Sequence, residues 1–222
     1  MAVSVSEAAA ATIRRAAAID SEVLFNGLEV DRFLETPRQR TSETVLMFVG
    51  RLEERKGVAS AIEATLAHNK RGASQWRLVI AGDGPDRSRL ETLAHHDGAI
   101  EFLGSVSDEE KRSRLRRVDV LLATSTYGES FGVVLLEGMA SETLVVASDI
   151  EGYREAANGH ATLYSPGGAV ALEEAITLAL EGASDTRVSA ASAYALNWSM
   201  EKLVDEYEER YERAHRLFLT TQ

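Results

Sequence analysis

The sequence has no cysteine and no long hydrophobic run, and each absence removes a class of protein. Disulfides and thiolate metal sites are excluded, which fits a reducing cytoplasm. No apolar run approaches the ~20 residues that a membrane-spanning helix needs. Basic residues are also few, 24 against 35 acids, and the formal charge of -11 argues against a protein that binds nucleic-acid phosphates. We therefore expect a soluble protein with no nucleic-acid partner, in which any anion site is local.

The length and the N-terminus set further bounds. With 222 residues, the chain is long enough for one large domain or a domain with appendages. The opening stretch "MAVSVSEAAAATIRR" lacks the basic region and apolar core of a signal peptide, so we expect it to be mature structure. The five histidines include one adjacent pair, which cannot share a helix face, and we expect surface histidines and no metal site.

Short, β-branched apolar runs recur along the chain and predict buried strands of a parallel sheet. These runs are Val45–Gly50, Arg77–Gly82, Ile100–Gly104, Asp119–Thr124 and Thr143–Ser148. Helical stretches alternate with them at Val58–His68, Asp86–His96, Asp108–Val118 and Phe131–Ser141. This alternation predicts an α/β fold built on a doubly wound parallel sheet.

Helices are predicted on both sides of this repeat. Ser6 is a suitable N-cap for a short helix that ends near Ala17, and a further helix is expected from Ala169 to Glu181. A long amphipathic helix follows Trp198. Its apolar stripe consists of Met200, Leu203, Val204, Tyr207, Tyr211, Ala214, Leu217 and Phe218. Such a stripe needs another surface to cover it.

The loop after the first strand, "GRLEERKG", is a candidate anion site, since ligands of open α/β sheets bind beyond the carboxyl ends of the strands. Gly50 allows a tight turn, Arg51 offers a fork of donors and Lys56 adds a compact charge. Two cations over a crevice suit a diphosphate. The alternative is a solvated loop in which they pair with Glu53 and Glu54.

The stretch "STYGESFGVVLLEGMA" after the fourth strand is a second candidate. Ser130 is predicted to cap a helix, so that the amides of Phe131, Gly132 and Val133 are unpaired donors at its positive end. Gly132 would let a ligand approach closely. An anion site at this helix start is therefore predicted.

Two glutamates in the same stretch call for separate interpretations. Glu137 lies among apolar residues of the predicted helix, where an unpaired buried carboxylate costs several kcal/mol. It needs protein donors or ligand hydroxyls, unless it pairs with a neighbouring base or faces solvent. Glu129 precedes the helix and lies in the loop that faces the crevice. It would repel a phosphate but could accept hydrogen bonds from sugar hydroxyls.

Several motifs together resemble one enzyme family. "GRLEERKG", "LVIAGDGP", "IEFLGSV", "VDVLLATS", "GESFGVVLLEGMA" and "VVASDIEG" occur in the order and spacing of the group 1 retaining glycosyltransferases. That family has two Rossmann-like domains, the GT-B fold, and includes glycogen synthases, sucrose synthases and bacterial mannosyltransferases. "AVSVSEAA" and "FNGLEVDRF" resemble its interdomain crossing. The chain resembles only the second, C-terminal half of such an enzyme.

The resemblance implies a division of the chain. Residues 1–37 would be the interdomain crossing, residues 38–198 the nucleotide-sugar-binding domain, and residues 199–222 the C-terminal helix. The first domain, which binds the acceptor, would be missing from this chain. In the intact fold the last helix crosses back to that domain, so here we expect its stripe to be exposed or buried in a homodimer.

The resemblance also implies residue roles. Arg51 and Lys56 would neutralise the donor's diphosphate, Glu137 would bind the ribose, and Glu129 would orient the hexose. The base would be received by the loop from Leu103 to Val106. The implied catalytic residues are Arg51, Lys56 and Glu129; the implied donor-binding residues are Gly50, Leu103, Val106, Ser130, Phe131, Gly132, Val133 and Glu137.

The implied reaction is hexosyl transfer with retention from a nucleotide-sugar, without a metal or other cofactor. The wording of "YGESFG" and "VVASDIEGYRE" is most similar to phosphatidylinositol mannosyltransferases, which use GDP-mannose and a lipid acceptor, although the Arg51 to Lys56 spacing is shorter here. UDP- or ADP-sugars stay open as donors. We expect this chain to bind donor but transfer little or none, and to be cytoplasmic, with the intact enzyme compatible with a peripheral position on the inner membrane face.

Three other functions share parts of this pattern. A nicotinamide-dependent dehydrogenase is disfavoured, because "GDGPDR" has Arg87 at the third glycine of the G-x-G-x-x-G fingerprint and follows the second strand. A sugar-nucleotide epimerase shares the two-domain architecture, but "ESFGVVLLE" favours the transferase. A non-catalytic nucleotide-sugar binding module is the third alternative; for this chain it differs little from a donor-binding domain that lacks its acceptor domain.

Overall fold

The protein is built around one six-stranded sheet in which every strand is parallel to its neighbours. The computed structural model describes residues 2–38, 42–72 and 74–220. A separate two-stranded parallel sheet precedes the main one and consists of β1 (Val3–Ser4) and β2 (Glu22–Val23), joined by helix α1 (Glu7–Ala17). The main strands are β3 (Thr44–Val49), β4 (Trp76–Ala81), β5 (Ile100–Gly104), β6 (Val120–Ala123), β7 (Leu144–Ser148) and β8 (Thr162–Tyr164).

Helices cover both faces of the main sheet. The remaining helices are α2 (Val58–Arg71), α3 (Arg87–Leu93), α4 (Asp108–Leu115), α5 (Val133–Ala140), α6 (Glu151–Ala157), α7 (Ala169–Glu181), α8 (Asp185–Ala195) and α9 (Met200–Thr220). Because side chains alternate along a strand, Leu46 and Phe48 belong to the core with α2, α3 and α7. Met47 belongs to the opposite core, with α5, α6 and α8. The predicted α/β class and doubly wound parallel sheet are confirmed.

The strand order β5-β4-β3-β6-β7-β8 locates the crevice of the sheet. The chain runs outward from β3 through β4 to β5, and then returns to the other side of β3 to form β6, β7 and β8. The order reverses between β3 and β6, and ligands of such sheets bind beyond the carboxyl ends of the strands at that reversal. The two loops that sequence analysis selected are the ones that follow β3 and β6.

The N- and C-terminal segments lie side by side. The Leu28 amide donates to the Trp198 carbonyl over 2.7 Å, and the Met200 amide donates to the Leu28 carbonyl over 3.0 Å. Arg210 of α9 donates to the Val23 carbonyl over 3.2 Å, so the long helix also contacts β2. The proposed boundary between residues 37 and 38 adjoins residues 39–41, which lie outside the described part of the chain.

The final helix has its predicted length and exposes most of its apolar stripe. Met200, Val204, Tyr207, Tyr211 and Phe218 are all exposed in the single chain. The side chain of Leu217, also assigned to the stripe, lies outside what the structure describes. A homodimer through this helix stays a prediction. Over the described residues, no helix is both long and apolar enough to cross a membrane.

Candidate functional site

The loops after β3 and β6 meet in a cleft of about 360 Å³ at the carboxyl ends of these strands. Eight residues that sequence analysis selected line it: Gly50, Lys56, Glu129, Ser130, Phe131, Gly132, Val133 and Glu137. Among the other lining residues are Asn26, Ser125 and Tyr153. The structure therefore brings the lysine, both glutamates and the helix start together around one space.

Hydrogen bonds to two backbone carbonyls hold the loop after β3 against the segment that follows β6. Glu54–Lys56 form a short 3-10 turn. The Thr124 hydroxyl donates to the Lys56 carbonyl over 2.7 Å, and the Thr126 amide donates to the Arg55 carbonyl over 2.7 Å. These two bonds fix the position from which the Arg55 and Lys56 side chains extend toward Glu129.

One carboxylate oxygen of Glu129 accepts hydrogen bonds from three side chains. Lys56 Nζ contacts Glu129 Oε1 directly, Arg55 Nη1 lies 3.1 Å from it, and Ser125 Oγ donates to it over 2.9 Å. Ser125 Oγ also lies 2.9 Å from the hydroxyl of Tyr153. Burial raises the pKa of the Tyr153 phenol, so this hydroxyl stays protonated at neutral pH. Glu129 is thus fixed by several donors on one side of the cleft.

Three predicted site residues are absent from the lining of this cleft. The Arg51 side chain is 69% exposed, and its Nε lies 3.7 Å from the carboxylate of Glu53. Leu103 and Val106 are half-buried and pack against the core on the α5 side of the sheet. The solvated-loop alternative thus describes Arg51 in this structure, whereas Lys56 lines the cleft.

The predicted N-cap at Ser130 is wrong. Helix α5 begins at Val133, and its N-cap is Gly132. The φ of Gly132 is 77°, in the left-handed region, so the helix does not extend to the residues before it. The cause is tertiary packing: the buried Phe131 ring lies 5.1 Å from the Trp198 ring, edge to face. The chain therefore turns two residues later than local capping rules predict.

Glu137 also lines the cleft and is only 8% exposed. Lys111 of α4 is its partner, with Nζ 2.7 Å from Oε1, and Lys111 also lies 3.0 Å from Asp108. Burial raises the pKa of the Glu137 carboxyl, and the Lys111 ammonium opposes this effect. The alternative in which this glutamate pairs with a neighbouring base is the observed one, and Glu137 retains access to the cleft.

Sequence reasoning missed four side chains of this site: Arg55, Ser125, Tyr153 and Lys111. Arg55 stands within the selected "GRLEERKG" loop and could have been selected by its charge. Ser125 comes two residues after the end of strand β6. Tyr153 and Lys111 come from α6 and α4, and no local pattern indicates which residue each one contacts.

The chain is similar to known glycosyltransferases in sequence. The family model described as "Glycosyl transferases group 1" matches residues 31–198. Phosphatidyl-myo-inositol mannosyltransferase of Mycobacterium tuberculosis is 39% identical over 142 residues, which cover 61% of this chain and 36% of that protein. The enzyme of the same name from Propionibacterium freudenreichii is 29% identical over 90% of this chain and 53% of its own length. The chain thus spans about a third to a half of these relatives.

Solved structures are similar over nearly the whole chain. A glycosyltransferase from Rickettsia africae superposes with a TM-score of 0.82 at 20% identity, covering 95% of this chain and 62% of that one. Anabaena HepE, crystallised in complex with UDP-glucose, gives a TM-score of 0.77 at 21% identity, covering 95% of this chain and 63% of HepE. At these identities the likeness concerns the fold, and it confirms the predicted half of a GT-B fold.

Proposed function

Because the chain belongs to the group 1 glycosyl transferase family, we propose that the cleft beyond β3 and β6 binds a nucleotide-diphosphate sugar as the donor of a hexosyl transfer. The single observation that supports this most is the arrangement of Lys56, Glu129 and Glu137 around one cleft at the strand reversal. It combines an ammonium for a diphosphate with two carboxylates for hydroxyl groups.

Each residue has a proposed role that its surroundings support. Lys56 and Arg55 lie where they can exchange Glu129 for the donor's diphosphate, which is a stronger acceptor of charged hydrogen bonds. The amides of Phe131 and Gly132 would hold the distal phosphate. Glu129 would orient the hexose, and Glu137 would bind the ribose hydroxyls. Fixed donors that oppose the leaving diphosphate's charge supply the largest catalytic contribution in such sites.

We further propose GDP-mannose as the donor, retention as the stereochemical outcome, and a lipid or small acceptor. The mannosyltransferase relatives support the donor and the acceptor class. A UDP-sugar is the second candidate, because HepE, which shares the fold, was crystallised with UDP-glucose. Since this chain spans 36% of the first relative, we assign acceptor binding to a further domain and expect the chain alone to transfer little or none. No metal or other cofactor is part of this proposal.

Calorimetric titration of the chain with GDP-mannose, UDP-glucose, UDP-N-acetylglucosamine and ADP-glucose tests the proposal. We expect GDP-mannose to bind most tightly and Lys56→Ala to weaken it at least about tenfold, since a hydrogen bond to a charged group contributes about 1.5–3 kcal/mol. Lys70→Ala removes the same charge from an exposed position of α2 and should leave binding unchanged. Arg51→Ala should have a smaller effect than Lys56→Ala, because its side chain is largely exposed.

The outcomes are distinct. A preference for UDP-sugars would keep the donor cleft and reject GDP-mannose. Equal losses in Lys56→Ala and Lys70→Ala would remove Lys56 from the site. Failure of all four donors to bind would reject the proposal for this chain.

A further inference from the structure

Ser6 makes an unusual contact between the N-terminal segment and the site. Its side chain is completely buried, and its hydroxyl donates to the carbonyl oxygen of Ser130 in the loop before α5. The Ser6 hydroxyl oxygen also accepts a hydrogen bond from the Ala9 amide over 3.0 Å and so caps α1. One hydroxyl therefore both starts α1 and fixes the orientation of a peptide group in the candidate donor site.

The Ser130–Phe131 peptide is held from two further directions. Gly152, in the first turn of α6, lies so close that an added Cβ would stand 3.2 Å from the Ser130 carbonyl carbon and 2.2 Å from the oxygen of the preceding Glu129 carbonyl. On the C-terminal side, the buried Phe131 ring packs edge to face on Trp198. With its carbonyl, its backbone and its following side chain all in contact, this peptide has little freedom to rotate.

The direction of the Phe131 amide follows from the contact with Ser6. A trans peptide is planar, and its N–H and C=O groups point to opposite sides. Because the Ser130 carbonyl points to Ser6, the Phe131 N–H points away from Ser6. Ser130 and Phe131 both line the cleft. No hydrogen-bond acceptor for this amide is found among the described residues. A backbone N–H group without a protein acceptor beside a cleft can donate to a ligand there.

We infer that Ser6 is a positioning residue for nucleotide binding: its hydroxyl orients the Ser130–Phe131 peptide so that the Phe131 amide donates to the distal phosphate of a nucleoside diphosphate. This inference rests on the proposed function. Ser6 touches no ligand itself and acts through the peptide that it holds.

The position of Ser6 is itself fixed by contacts between α1 and α6. Glu155 of α6 accepts hydrogen bonds from the amides of Glu7 and Ala8 over 3.1 and 3.4 Å. The start of α1, α6 and the Ser130 loop thus form one connected unit. A displacement of the N-terminal segment would therefore change the direction of the Phe131 amide.

Binding of GDP and GMP to the full chain tests this inference, since only GDP has the distal phosphate. Ser6→Gly removes the hydroxyl but keeps a residue that helix N-caps tolerate. We expect Ser6→Gly to lower the affinity for GDP about fivefold, the effect of one hydrogen bond, and to change the affinity for GMP less than about twofold. Ser6→Thr restores a hydroxyl and should restore GDP binding.

Two controls separate positioning from stability. Ser184 caps α8 by accepting from the Arg187 amide over 3.2 Å, so Ser184→Ala removes a cap without touching the site and should leave the GDP to GMP ratio unchanged. The amide resonance of Phe131 should shift on addition of GDP in the wild-type chain, and shift less in Ser6→Gly.

The inference is overturned if Ser6→Gly binds GDP as the wild type does, or if it loses GDP and GMP affinity equally. If the wild-type chain binds neither nucleotide, the proposed function itself fails for this chain, and the inference with it. Wild-type binding with an unshifted Phe131 resonance would reject the inference alone.

Discussion

The two glutamates of the cleft differ in how the protein neutralises them. Glu129 lies in a loop and accepts hydrogen bonds from Lys56, Arg55 and Ser125. Glu137 lies within α5, is almost fully buried, and has the Lys111 ammonium as its charged partner. Among the described residues, Glu129 therefore has three hydrogen-bond donors, whereas Glu137 has one, Lys111.

This difference indicates which contacts a ligand can replace. Under the proposed function, a donor diphosphate would replace Glu129 as the acceptor of Lys56 and Arg55, while Ser125 would still hold Glu129 in place. Among the described residues, Glu137 has no second ion-pair partner, so loss of Lys111 would leave a buried carboxylate without its ion pair. We therefore interpret the Glu129 side as the part that rearranges on binding and the Glu137 side as the part that is fixed in advance.

Removal of Lys111, the ion-pair partner of Glu137, should have the largest effect on stability. We expect Lys111→Met to destabilise the fold by about 2–3 kcal/mol at pH 7, below the full value for a buried pair because Lys111 is partly solvated. Thermal or urea unfolding measures this. The double variant Lys111→Met, Glu137→Gln should be more stable than Lys111→Met alone, since it removes the unpaired charge. Equal stability of the two would show that Glu137 does not depend on Lys111.

The same variant should show a distinct pH dependence. Burial raises the pKa of Glu137 in the folded chain, so the folded state binds more protons than the unfolded state above the ordinary pKa. Stability from this group is therefore present at low pH and is lost as the pH rises through the folded pKa. Without Lys111 that pKa rises further, and Lys111→Met should regain stability as the pH falls from neutral toward the ordinary carboxyl pKa. A flat profile relative to the double variant would contradict this.

Substitution at the other glutamate should change binding more than stability. We expect Glu129→Gln to cost only about 1 kcal/mol, because the amide oxygen still accepts from Ser125 and Lys56. GDP should bind a few-fold more tightly, since Lys56 and Arg55 lose their competing carboxylate. The advantage of GDP-mannose over GDP should fall, because the proposed contact to the hexose is weakened.

Calorimetry with GDP and GDP-mannose on the same preparation gives both quantities. Glu181→Gln makes the same charge change at an exposed position at the end of α7 and should alter neither affinity. If Glu129→Gln weakened GDP and GDP-mannose equally, the carboxylate would be acting on the shape of the cleft and not on the hexose.

The sequence predicted the sheet and most of the site for a local reason. Runs such as Val45–Gly50 and Asp119–Thr124 are continuous apolar segments with a residue pattern that only a buried strand explains well. Once these strands are parallel, the loops that follow them must meet at one edge of the sheet, and Lys56, Glu129 and Glu137 are brought together by topology.

What sequence analysis missed depends on contacts between distant segments. The start of α5 is set by the packing of Phe131 on Trp198, which no capping rule includes. Lys111 had no signal as a partner of Glu137, because the face that α4 turns toward α5 is a tertiary property. Helix α8 was not predicted either: its sequence "DTRVSAASAYA" has small residues all round and no clear apolar stripe.

The smallest effect should come from Tyr153, which contacts Glu129 only through Ser125. Tyr153→Phe removes a buried hydroxyl that bonds to Ser125, while Ser125 can still donate to Glu129. We expect a loss of about 0.5–1.5 kcal/mol in stability, the net contribution of one hydrogen bond, and less than about a twofold change in GDP affinity. Ser125→Ala, which removes the direct donor, should affect GDP-mannose binding more than Tyr153→Phe. If Tyr153→Phe weakened GDP-mannose binding more than Ser125→Ala did, the position of Glu129 would depend on packing against α6 more than on its three hydrogen-bond donors.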